Sequence, residues 1–304
     1  MYTAVKCALL LSVAVAASGH SLGFQDVVFH LFTRNNRANS IPVLPTFESL
    51  VGGQAAQYFV PSRRTIIAIP TQNSDDETVP QFGAHVVSAH LDAEDVNVFL
   101  IDWSAGSSMY SEGLAQAPQC GQIIANFVNI MIRELSMSAS LFRLVGHGLG
   151  GHIAGIAARQ INGNVPHIIS LDPSLHGWTH HPARLNRNDA TVVEVLSTSA
   201  GILGYDQPLG DLNFFANGGT NQPGCGIVAT CSRNYAFIYY GESVRSDVIN
   251  GPKFVGTRCD NYQQALSNQC SGERDATFGG VSTKTSGAGI YTFPTNASPP
   301  FARD

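Results

Sequence analysis

The chain has 304 residues, 44% of them hydrophobic and only 13% charged, with a formal charge of −5. A composition this apolar and charge-poor excludes a disordered chain. With no net positive charge and no Lys/Arg cluster it also lacks the field that nucleic-acid phosphates require.

The length fits one large α/β domain, with or without a small appendage. At the N-terminus Lys6 precedes an apolar run from Cys7 to Ala17, too short to span a bilayer, and Ala16, Ala17, Ser18 and Gly19 supply small residues for cleavage. This is the pattern of a secretory leader over residues 1–19, leaving a secreted, extracellular chain from 20 to 304. No later stretch is long enough for a transmembrane helix. Removal of the leader takes Cys7 with it. In an oxidising compartment Cys225–Cys231 and Cys259–Cys270 are then expected as short-range bridges. Cys120 is left over, expected as a buried free thiol, with an intermolecular bridge as the alternative. None of the cysteine spacings resembles a zinc site, and neither metal nor cofactor is expected.

Val27 to Thr33, Thr65 to Ile69 and Asn97 to Trp103 read as strands, the last with the continuous apolar run of a buried parallel strand. Gly121 to Leu135 has helical spacing through Ile124, Phe127, Val128, Met131 and Leu135. Leu141 to Val145 follows as a strand, Leu149 to Ile161 as a helix, and His167 to Leu171 and Val192 to Ser197 as strands. This alternation predicts a mainly parallel sheet with helices on both faces. Beyond residue 200 the sequence reads as Gly-, Asn- and Pro-rich loops around short strands. The one glycosylation sequon, Asn296-Ala297-Ser298, is weakened by Pro299.

The densest signal is Gly146-His147-Gly148-Leu149-Gly150-Gly151, between a strand and a helix. Alone it satisfies the dinucleotide fingerprint G-x-G-x-x-G, with Asp172 ending the next strand. A secreted protein rarely meets NAD, however, and this turn comes after at least two earlier strands instead of opening the domain. The alternative is a nucleophile elbow, G-x-S-x-G, in which Gly148 stands where serine belongs.

The rest of the chain supports the elbow. Leu31-Phe32-Thr33-Arg34-Asn35, Ile101-Asp102-Trp103-Ser104, the Gly146–Gly151 turn, Leu171-Asp172-Pro173 and Asn217-Gly218-Gly219 with Gln222-Pro223-Gly224-Cys225 fall in order. They are followed by a tail of Phe278-Gly279-Gly280, Thr295-Asn296 and Pro300-Phe301-Ala302-Arg303. Together these segments resemble the animal pancreatic-lipase family, in its short insect form without a C-terminal β-sandwich domain, over nearly the whole mature chain. The resemblance implies an α/β-hydrolase fold, with residues 20–304 forming a single lipase-like domain.

It also implies a site in which the chemistry has been lost. The family needs Ser, Asp and His in that chain order, plus two backbone N–H donors for the oxyanion. The acid is retained as Asp172, but the nucleophile position is Gly148. The family's Cys-Ser-His-x-Arg stretch corresponds to Cys231-Ser232-Arg233-Asn234-Tyr235, so Arg233 holds the position of the base. A guanidinium offers no lone pair to a proton near neutrality. All ten histidines lie at or before His181, so none follows where this triad order requires it. His176, His180 and His181 read as solvent-facing loop residues. At the oxyanion positions Leu149 is kept, but the family's His-Gly-aromatic loop is replaced by Pro70-Thr71-Gln72, putting Gln72 at the aromatic's place.

These departures predict a non-hydrolytic protein of the lipase fold that binds lipid or another small apolar ligand, or is stored as the insect yolk proteins of this family are. Self-association is a further expectation. The alternative is a lipase or phospholipase A1-type carboxylester hydrolase with an unconventional site. A direct Asp172–Arg233 ion pair is expected to fill the place of the triad. The short Cys225–Cys231 segment, similar to phospholipase A1-like lids, predicts an open groove above it.

Overall fold

A computed structural model describes residues 21–72 and 78–303; the predicted leader lies outside the described residues. In chain order the elements are β1 (Val28–Phe32), β2 (Ile41–Val43), α1 (Phe47–Val51), β3 (Thr65–Ile69), α2 (Thr78–Ala93), β4 (Asn97–Asp102) and α3 (Tyr110–Glu134). There follow β5 (Phe142–His147), α4 (Leu149–Ala158), β6 (His167–Leu171), β7 (Val192–Ser197), β8 (Leu212–Ala216) and α5 (Ala229–Ile249). The chain ends with β9 (Val255–Cys259), α6 (Tyr262–Leu266), β10 (Ala276–Thr277) and β11 (Gly289–Phe293).

The described strands form one sheet in the order β10-β9-β11-β8-β7-β6-β5-β3-β4-β1-β2. From β4 through β11 neighbouring strands run parallel, while β1, β2, β9 and β10 join antiparallel at the two edges. The unbroken apolar run of β3 follows from burial on both faces. Ile67 and Ile69 pack with Phe127 and Ile153 of α3 and α4. Ile66 and Ala68 pack on the opposite face with Phe82 of α2 and Phe237 of α5. Two apolar layers thus sandwich the sheet, as the alternation of elements predicts, and the C-terminal ends of β3, β5 and β6 meet at one edge.

The short α1 and α6 were not predicted, and three longer helices depart from the sequence reading. α3 begins at Tyr110 instead of Gly121, because Gly113, Pro118 and Gly121 give its first half a low helix propensity that packing overrides. Cys120 therefore lies inside this helix, fully buried and unbridged. α2 was not predicted at all. Nor was α5, in a region expected to be loops and short strands. Its buried face mixes Ser232, Arg233, Ser243 and Ser246 with Ala236, Phe237 and Val244, so its hydropathy carries no 3.6-residue period. Both expected disulfides are present, Cys225–Cys231 and Cys259–Cys270. Among the described residues no helix is long and apolar enough to cross a membrane, and no cluster of His, Cys, Asp and Glu is placed to hold a metal.

Candidate functional site

The glycine-rich turn joins β5 to α4 at Gly148, whose φ of +58° and ψ of −117° mark the tight strand-to-helix turn of an elbow. A Cβ at Gly150 would stand 2.1 Å from the Ile69 carbonyl oxygen, so α4 can approach β3 this closely only with glycine there. The Gly148 N–H donates to the Leu171 carbonyl at 3.0 Å, and the Ser174 N–H to the Gly148 carbonyl at 3.2 Å. The elbow is thereby fixed to the end of β6, where Asp172 follows.

Asp172 is fully buried and accepts four hydrogen bonds. Oδ1 takes the Thr198 and Ser199 N–H groups at 2.9 and 2.8 Å, and Oδ2 takes the Ser199 hydroxyl at 2.5 Å. The fourth donor is Arg233 Nε, 3.2 Å from Oδ2. Arg233 Nη2 reaches Ser174 Oγ at 3.1 Å, the Leu203 carbonyl at 3.0 Å and the Asp172 carbonyl at 3.4 Å. The expected ion pair is therefore formed. It is a buried charge pair whose guanidinium donates to the acid strand and to the loop after β7, a geometry that holds elements together.

The described side chains that hydrogen-bond to Asp172 are Ser199 and Arg233, with no imidazole among them. His176 and His180 are exposed, as expected, and His181 is half-buried against Trp178. The buried His152 has both nitrogens assigned by its neighbours. Nδ1 accepts from the Leu185 N–H at 3.2 Å, so Nε2 carries the proton and donates to the Ser174 carbonyl at 2.8 Å. Burial pushes this imidazole down to about 3, so it is a neutral structural group.

At the oxyanion positions the Leu149 N–H points at Thr71 Oγ1, 3.5 Å away, and the Thr71 hydroxyl donates in turn to the Gln72 side-chain carbonyl. Thr71 occupies the place where the resembling family has glycine, and its side chain stands over the elbow. A Cβ added at Gly148 would lie 2.5 Å from Thr71 Oγ1 and 2.8 Å from Thr71 Cβ. The sequence reading placed Gln72 and Leu149 here but not the obstruction by Thr71; the signal was the missing loop glycine. Ser199 and Ser174 were also missed. No residue pattern announces them, because their role arises from loops meeting in space.

The residues beneath the expected groove are themselves covered. Gly148, Leu149, Asp172 and Ser174 are buried, and so is Thr71. α5 begins at Ala229, and the Cys225–Cys231 bridge ties the preceding loop to its first turn. Ile227 and Val228 project from that loop into solvent. A cavity of about 270 Å³ adjoins Thr71, between Pro70 and Trp103.

A largely parallel sheet with helices on both faces and a strand–elbow–helix turn at its centre defines an α/β-hydrolase fold. The Lipase family profile matches residues 8–289, and the chain belongs to that family, in its animal pancreatic-lipase group. It is 32% identical over 214 residues to pancreatic triacylglycerol lipase of Myocastor coypus, covering 62% of this chain and 46% of that protein. It is 29% identical over 222 residues to lipase member H-B of Xenopus laevis, covering 71% of this chain and 48% of that protein. A third relative, pancreatic lipase-related protein 2 of Mus musculus, is 34% identical over 200 residues, 58% of this chain and 42% of that protein. The chain thus spans about half the length of the curated relatives it matches.

Proposed function

We propose that this is a secreted, non-hydrolytic member of the lipase family, with residues 20–304 as a single lipase-like domain, whose work is to bind lipid or to be stored. The observation that carries this reading is the Asp172–Arg233 pair: the acid of a triad is retained, but its partner is a cation that cannot accept a proton. Gly148 offers no nucleophile, and Thr71 stands over the Leu149 N–H that would serve an oxyanion. Loss of the nucleophile or the base alone removes most of the rate of such a site, and here both positions are changed.

Two disulfides support residence in an oxidising compartment, and with it secretion. The cavity beside Thr71 supports binding of a small apolar molecule. Treatment with a fluorophosphonate, which phosphonylates activated serines with loss of fluoride, tests the proposal. The expected result is an unchanged intact mass; a stoichiometric adduct on one serine would overturn it.

A further inference from the structure

The cavity beside the former catalytic centre carries chemistry of its own on the β1–β4 side. β1 and β4 pair antiparallel with Val28 opposite Asp102 and His30 opposite Leu100. His30 and Asp102 thereby emerge on the same face of the sheet, two residues apart. Ser40, just before β2, holds the His30 ring through a contact of 3.1 Å to Nδ1. His30 Nε2 faces Asp102 Oδ2 across 3.9 Å, while Asp102 Oδ1 accepts the Ser104 N–H at 3.0 Å. Both His30 and Asp102 line the cavity, whose walls are otherwise mainly apolar, from Pro70, Val79, Pro80 and Ile101.

Ser40, His30 and Asp102 follow one another in the manner of a hydrolytic triad. Ser40 nevertheless lies outside the cavity lining, and the His30–Asp102 separation is beyond hydrogen-bonding range, so the set presents no nucleophile to a ligand. What it presents is a carboxylate whose partners are the His30 ring, 3.9 Å away, and Ser104, with no Lys or Arg against it among the described residues. A half-exposed carboxylate beside a mainly apolar cavity recognises a cation carried on a hydrocarbon. At the roughly 30 Å³ that a liquid water molecule takes, about 270 Å³ has room for about nine non-hydrogen atoms.

We propose that this cavity is a ligand site for a short apolar chain bearing an ammonium group, with Asp102 pairing the cation and Pro70, Val79, Pro80 and Ile101 enclosing the chain. This holds whether or not the protein hydrolyses esters, because the site uses none of Gly148, Asp172 and Arg233.

Calorimetric titration of the purified protein at pH 7.5 with 1-hexylamine, 1-hexanol and hexanoate tests it. Hexylamine is expected to bind at a single site about three- to fivefold more tightly than hexanol, with hexanoate excluded. Asp102→Asn should bring the amine down to the affinity of the alcohol. Val79→Trp, which fills the chamber from α2, should remove both, with the far-ultraviolet circular dichroism unchanged. Equal binding of amine and alcohol by the unmodified protein would overturn the proposal, as would an amine preference that survives Asp102→Asn, tighter binding of hexanoate, or no saturable binding of any of the three.

Discussion

Replacing Arg233 with alanine tests whether the retained acid now serves the fold. The substitution removes the guanidinium donor from Asp172 Oδ2 and leaves the Leu203 carbonyl and Ser174 Oγ without their shared partner. Asp172 keeps the Thr198 and Ser199 donors, so the carboxylate is not left bare. Breaking a buried pair on one side costs about 3–5 kcal/mol, and the surviving donors place Arg233→Ala near the lower end, about 3 kcal/mol. Asp172→Asn should also destabilise, because its amide cannot answer both Arg233 and the Ser199 hydroxyl as a carboxylate does. The double variant should lose less than the sum of the two, by about 2 kcal/mol of coupling. Urea unfolding at pH 7.5, followed by tryptophan fluorescence with the disulfides intact, measures all four corners of the cycle. An Arg233→Ala loss under about 1 kcal/mol, or coupling within about 0.5 kcal/mol of zero, would refute the structural role of the pair.

Gly148→Ser alone should cost about 1–3 kcal/mol or more in the same assay, because its Cβ meets Thr71 and its φ of +58° strains any residue with a side chain; adding Thr71→Gly should recover the contact part and leave the backbone strain. The triple variant with Arg233→His should gain measurable esterase activity, while each single variant should show none. Burial holds His152 down to about 3 and His90 to about 4, so the unfolded chain, with ordinary histidines near pH 6.5, takes up these protons first. Their contribution, about 3 kcal/mol or more for each, is therefore complete above about pH 6.5 and is lost as the pH falls toward 4. Unfolding curves from pH 7.5 to 4 should show this slope, and His152→Gln should flatten it. Burial also pushes the Cys120 thiol up, so it should resist a thiol reagent in the native protein and react fully in guanidinium, with peptide mapping as the check. Removing the Cys225–Cys231 bridge by double alanine substitution should cost about 2 kcal/mol, the loop-closure value for so short a separation, as read by urea unfolding.

The sheet was legible because its central strands are buried on both faces and so write themselves as uninterrupted apolar runs. The elbow was legible because its glycines are demanded by backbone approach, which leaves a local motif. The helices were harder to see. In α5 the inward face carries Arg233, which meets Asp172, and three serines, two of which hydrogen-bond neighbouring loops, and that removes the apolar stripe by which a helix is recognised. The Asp172–Arg233 pair was foreseeable from two aligned positions and the cost of an unpaired buried carboxylate. The Ser199 and Ser174 contacts, and the Thr71 side chain over Gly148, depend on how three loops meet. The cavity with His30 and Asp102 likewise arises from strand pairing between segments some seventy positions apart (Val28 with Asp102), which no local pattern records.

Steady-state turnover by the purified, unmodified protein tests the central claim most directly. With a short-chain p-nitrophenyl ester and with phosphatidylcholine vesicles as substrates, the rate should equal that of buffer alone. Saturable hydrolysis of either substrate, abolished by a covalent serine inhibitor, would contradict the reading of Gly148, Asp172 and Arg233 as a dismantled catalytic centre.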